Sequence, residues 1–71
     1  MTNATKDQIC RNVAADLRNF GYPDVSAEMI GEIYDAYRSG LRGADLPHGI
    51  IGRFAENSLD LAAERIGCLP D

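Results

Sequence analysis

Seventy-one residues carrying seven Lys and Arg against eleven Asp and Glu describe one small acidic domain of net charge −4. An apolar fraction of 45% is too high for a disordered chain, and no apolar run approaches the about 18 residues of a membrane span. The acidic balance opposes unspecific attraction to phosphate backbones, and a polar Met1-Thr2-Asn3-Ala4 start with two cysteines predicts free thiols in the cytoplasm.

The first predicted helix runs from about Thr5 to Phe20. Ile9, Val13, Leu17 and Phe20 recur at i, i+4, i+8 and i+11, and Cys10 and Ala14 widen the stripe. Thr5 is the expected N-cap, with Asp7 in the first turn, and Gly21 stands where a left-handed terminator is wanted. Pro23 disfavours helical geometry at Tyr22, which makes Gly21-Tyr22-Pro23-Asp24 a connector.

The second helix is expected over residues 26–41. Ser26 is its N-cap and Glu28 lies in the first turn, where a carboxylate suits the helix dipole. Ile30, Ile33, Tyr34, Tyr37 and Leu41 take one side, while Glu28, Glu32 and Asp35 take the other. Arg38 and Arg42 fall near the C-terminal end, and Gly40 and Gly43 offer two stops.

The third helix is expected over residues 48–66, with Pro47 as an early residue and Asp45 or Leu46 as its cap. Ile51, Phe54, Ala55, Ser58, Leu59, Ala62 and Ile66 line one face, flanked by Ile50 and Leu61; Gly67 and Pro70 end it. No segment alternates with the period of a strand. The chain therefore reads as all-α, a compact three-helix bundle in one domain spanning 1–71. Its expected core is Ile9, Val13, Leu17, Phe20, Ile30, Ile33, Tyr34, Tyr37, Ile51, Phe54, Leu59, Ala62 and Ile66.

Catalytic chemistry finds little to stand on. His48 is the one histidine, with Asp45 three residues away, and neither a strained turn nor a nucleophile elbow surrounds any serine. Its expected role is capping or loop packing, so the chain is read as no enzyme and as needing no cofactor. Cys10, His48 and Cys68 are the only soft metal ligands, and no close cysteine pair of the kind a structural zinc site uses is present. Cys10 is expected at the edge of the core. The glycines of Pro47-His48-Gly49-Ile50-Ile51-Gly52-Arg53 lack the strand and lysine of a phosphate loop. Gly52 costs its helix about 1 kcal/mol relative to Ala. A close neighbour should therefore explain it: helix 1 or 2 of the same chain, or else a partner or second copy along the Gly49, Gly52, Ala55, Ser58 row.

Interaction chemistry offers more. Glu28, Glu32 and Asp35 on helix 2, with Glu56, Asp60 and Glu64 on helix 3, form two acidic rows that are either solvated faces or a match for a basic protein surface. Tyr22, beside Pro23, is the aromatic residue expected to be exposed, and exposed Tyr and Arg, such as Arg53, are favoured interface anchors. Lys6, Arg11 and Arg18 on helix 1 make a weak basic footprint for nucleic acid. Helix 3 would turn acids toward phosphates, so reading DNA with it is not expected.

Phe20-Gly21-Tyr22-Pro23-Asp24-Val25 and Leu46-Pro47-His48-Gly49-Ile50-Ile51-Gly52-Arg53-Phe54-Ala55 resemble stretches of small uncharacterised proteins of actinobacteria and their phages, over roughly residues 15–62. The resemblance implies a phage origin and the binding of a host protein, and brings no activity, cofactor or site with it. The expected function is a non-catalytic protein-binding module, free of the membrane. A homodimer or a partner would add to a core that at this size supplies about 3–5 kcal/mol. The alternatives are a nucleic-acid-associated regulator using Lys6, Arg11 and Arg18, or an acidic DNA mimic.

Overall fold

Helix boundaries follow the capping chemistry of the sequence at four of six ends. In the computed structural model, which describes residues 5–70, α1 spans Lys6–Phe20, α2 Ala27–Arg38 and α3 Ile50–Ile66, with a 3-10 turn at Gly43–Asp45. Met1–Ala4, whose polarity entered the reading of compartment, and Asp71 lie outside the described residues. The Thr5 hydroxyl accepts from the Gln8 amide at 3.1 Å, and the Ser26 hydroxyl accepts from the Met29 amide at 3.3 Å. Gly21, at φ +121°, ends α1, and the Tyr22 amide then bonds back to the Leu17 carbonyl at 3.0 Å.

Two boundaries depart from expectation. α2 stops at Arg38 rather than 41, because Gly40 at φ +102° takes the left-handed position and lets the Leu41 amide reach the Ala36 carbonyl at 3.0 Å. α3 starts at Ile50 rather than 48, and neither Asp45 nor Leu46 caps it. Its N-cap is Gly49, which makes no side-chain cap bond; His48 just before it is the one described non-glycine residue with positive φ, at +68°. Pro47 thus belongs to the turn and not to the helix. Leu46 is drawn into the core, and the chain must reverse over the next three residues before α3 begins.

The three helices all touch one another, forming the three-helix bundle. A radius of gyration of 11.1 Å matches the about 11 Å expected for a compact chain of this length. Ile9, Val13, Leu17, Ile30, Ile33, Tyr34 and Leu59 are buried as expected, and Cys10 joins them. Full burial of a side chain such as Ile30, Ile33 or Leu59 is worth about 1.5–3 kcal/mol. Tyr37, Ile51, Phe54 and Ala62 are only half-buried.

Phe20 and Ile66, both expected in the core, are 67% and 46% exposed. Each is the last residue of its helix, so its stripe runs on past the point where neighbouring helices can cover it. The core is completed by residues outside that expected set. Ala14 and Ala55 are fully buried where helices meet, and Val25, Leu46 and Leu69 are plugs contributed by connectors and tail. The tail is held to α2 by an Arg38 guanidinium bond to the Leu69 carbonyl at 2.8 Å and by the Tyr34 hydroxyl donating to the Pro70 carbonyl.

Gly52 is explained by neither neighbour the sequence suggested. A Cβ there would overlap the Pro47 carbonyl oxygen and lie 3.2 Å from Leu46 Cβ. The close approach comes from the connector that leads into the same helix, not from α1, α2 or a partner. Gly49, Gly52, Ala55 and Ser58 also fail to act as one row. Gly49 is exposed in the turn, Gly52 and Ala55 are buried, and Ser58 is half-buried.

Candidate protein-interaction surface

The two acidic rows are largely occupied within the chain. Asp35 pairs with Lys6 of α1 at 2.6 Å, and Glu32 pairs with His48 Nε2 at 2.6 Å. Glu56 accepts the Gly43 amide at 3.2 Å, and Asp60 accepts the Tyr37 hydroxyl. Each contact joins different elements: α1 to α2, α2 to the turn before α3, α3 to the 3-10 turn, and α3 to α2. These carboxylates act as struts. Glu28 and Glu64 alone of the six are exposed without a partner among the described residues. Exposed ion pairs are individually worth about 0–1 kcal/mol, so such struts fix register more than they add stability.

The basic residues of α1 are likewise engaged. Besides Lys6, whose ammonium is held above its ordinary range mainly by the hydrogen bond to Asp35, Arg11 pairs with Asp7 at 2.9 Å. The Arg18 guanidinium donates to the Val25 carbonyl at 2.9 Å and so ties the first connector to α1. Lys6, Arg11 and Arg18 are thus three separate local contacts, not one basic patch. His48 faces Glu32, not Asp45. Among the described residues no three of His, Cys, Asp and Glu come together in a way that could hold a metal ion. Cys10 is buried, which pushes its thiol above the ordinary value, opposed by the nearby Lys6 charge; Cys68 is exposed, and both are free. No described helix is long and apolar enough to cross a membrane.

The surface also carries an aromatic feature. Phe20, Tyr22 and Phe54 form a three-ring cluster where the end of α1, the first connector and the first half of α3 meet. Ring centroids lie 5.3 Å apart for Phe20–Phe54, 5.5 Å for Tyr22–Phe54 and 6.3 Å for Phe20–Tyr22. The exposed ring is Phe20, not Tyr22, which is half-buried against the other two. A shallow depression lies on each side of the cluster. One is floored by Val25, Met29 and Ile51, and the other by Leu17 and Ser58. Ile50, 56% exposed, and Arg53, with no partner among the described residues, stand on the same first turns of α3.

Sequence reasoning placed Phe20 and Phe54 in the core and so missed that they meet in a ring cluster at the surface. The available signal was positional: Phe20 is the last residue before Gly21, and Tyr22 follows at once, which puts two rings on one helix end. Comparison with protein-family models, curated proteins and solved structures finds no match.

Proposed function

We propose that this chain is a non-catalytic protein-binding domain that docks a partner through the Phe20–Tyr22–Phe54 end, with Ile50 and Arg53 at its margin. The observation that carries this reading is a large apolar side chain, Phe20, left 67% exposed yet held by a stacked contact with Tyr22 and a tilted one with Phe54. A ring held in place costs little further entropy on binding, and aromatic residues and Arg dominate interface energetics. The actinobacterial and phage resemblance makes a bacterial host protein the partner to seek, in the host cytoplasm. The nucleic-acid alternative draws less support, because Lys6, Arg11 and Arg18 already have partners within the chain.

A tagged pull-down from nuclease-treated actinobacterial lysate, run beside the Phe20→Lys variant, tests this. One stoichiometric protein should be captured by the native chain and reduced about tenfold or more by the variant, the scale of a central interface residue. Phe20→Lys should retain the native circular dichroism, since the side chain is exposed and a cation suits a helix C-terminus. Equal capture by both chains, or none by either, would sink the reading.

A further inference from the structure

Further along α1 and α3 a second groove, part polar and part apolar, stays open between the two helices. Ile9 and Asp16 line it from α1, and Leu61 and Arg65 line it from α3, with Ile66 at its far end. Leu61 is 55% exposed and Ile66 46%. Asp16 and Arg65 both edge this groove, carry opposite charges, and have no partner among the described residues. They stand apart along it: Asp16 shares the level of Ser58, and Arg65 lies seven residues, or about 10 Å, further along α3.

We propose that a second copy of this chain covers the groove, in a two-fold dimer built on antiparallel α3 helices. A two-fold interface is self-complementary, so each residue i that meets j is matched by j meeting i. One unpaired acid and one unpaired base on the same groove are what that symmetry converts into two Asp16–Arg65 pairs between copies. Setting Arg65 opposite Ser58 and Asp16 of the second copy fixes the axis midway between 58 and 65, at Leu61–Ala62. Leu61 then lies opposite Ala62 of the second copy and beside its own symmetry mate, while the small Ala62 and Ser58 let the helices approach. A stable interface buries about 800 Å² per partner, close to a sixth of the 4614 Å² accessible surface, which one of the three sides of a bundle can provide. The three rings themselves lie beyond this interface, one cluster at each end, with Asp16 and Ser58 at the border between the two surfaces. The dimer does not rest on the docking reading and would make it bivalent.

Sedimentation equilibrium of the full chain from about 1 µM to about 500 µM tests this, a range that brackets a micromolar dimer. The native chain should pass from monomer to dimer. Leu61→Glu should remain monomeric with unchanged helical circular dichroism. Arg65→Glu should weaken dimerisation about tenfold, by setting it against Asp16 of the second copy, and Asp16→Arg with Arg65→Glu should restore it. Phe20→Lys should dimerise like the native chain, which separates this interface from the aromatic one. A chain monomeric throughout the range overturns the proposal. So does an assembly larger than a dimer, a dimer that survives Leu61→Glu, a double charge swap that fails to recover association, or a dimer lost with Phe20→Lys.

Discussion

Alanine at Gly31 and alanine at Gly52 add the same methyl group to two helices with opposite surroundings. At Gly31, inside α2, the new Cβ meets nothing within 4 Å. Only helix propensity changes there, and Gly31→Ala should stabilise the fold by about 0.5–1 kcal/mol. At Gly52 the same gain is set against overlap with the Pro47 carbonyl oxygen, a backbone atom that cannot rotate away. Overpacking of this kind costs about 1–3 kcal/mol, and against backbone the upper half of that range applies, so Gly52→Ala should be net destabilising by up to about 2 kcal/mol. In a domain this size that difference moves the melting temperature by about 4–8 °C per kcal/mol. Thermal melts of the two variants should shift in opposite directions; a rise with Gly52→Ala would show that the Leu46–Pro47 connector does not press on α3.

At the scale of elements, the helices are tied down by what lies between them. Val25, Leu46 and Leu69 each send one apolar side chain from a connector or tail into the core, and Leu69 is only 5% exposed. The tail has two further anchors, the bonds from Arg38 and Tyr34 to its carbonyls. Leu69→Ala should therefore cost about 2 kcal/mol, the low end for a buried leucine because a chain terminus can relax into the space. Cys68→Ala, one residue away and exposed, should stay within about 0.5 kcal/mol of the native chain. Urea denaturation compares the two directly, and equal midpoints would mean that the tail does not pack. These plugs are also where the sequence is hardest to read. The helical period reveals Ile9, Val13 and Leu17 because each turn repeats the signal, and Thr5, Ser26 and Gly21 because caps have a fixed side-chain chemistry. A single apolar residue in a connector has no period, and the adjacent prolines at 47 and 70 read as punctuation rather than as the start of a buried segment. The same gap hid the exposure of the ring cluster. Phe20 continues the α1 stripe perfectly well, and nothing in one-dimensional spacing says that the stripe outruns the bundle.

Over the whole molecule, most of the charges that looked like two acidic faces hold the small bundle in register, and two of them, Asp35 and Asp60, join burial in setting how stability varies at high pH. Cys10, Tyr37 and Lys6 titrate above their ordinary values in the folded chain. Cys10 is raised chiefly by burial from 9.0, Tyr37 chiefly by its hydrogen bond to Asp60 from 10.0, and Lys6 chiefly by its hydrogen bond to Asp35 from 10.5. In each case the folded form keeps a proton that the unfolded chain releases first. The associated stability is complete below the unfolded values and is lost as pH rises through the folded ones. Stability should accordingly be flat with respect to these groups up to about pH 8 and then decline through pH 9–11, beginning with the thiol. Urea midpoints measured across that range check the decline. Cys10→Ala assigns its first part, because the variant starts from lower stability but should fall less steeply just above pH 9. Midpoints that hold level or rise to about pH 11 would mean that these protons are not retained on folding, and that Asp35 and Asp60 do not bridge the helices as struts.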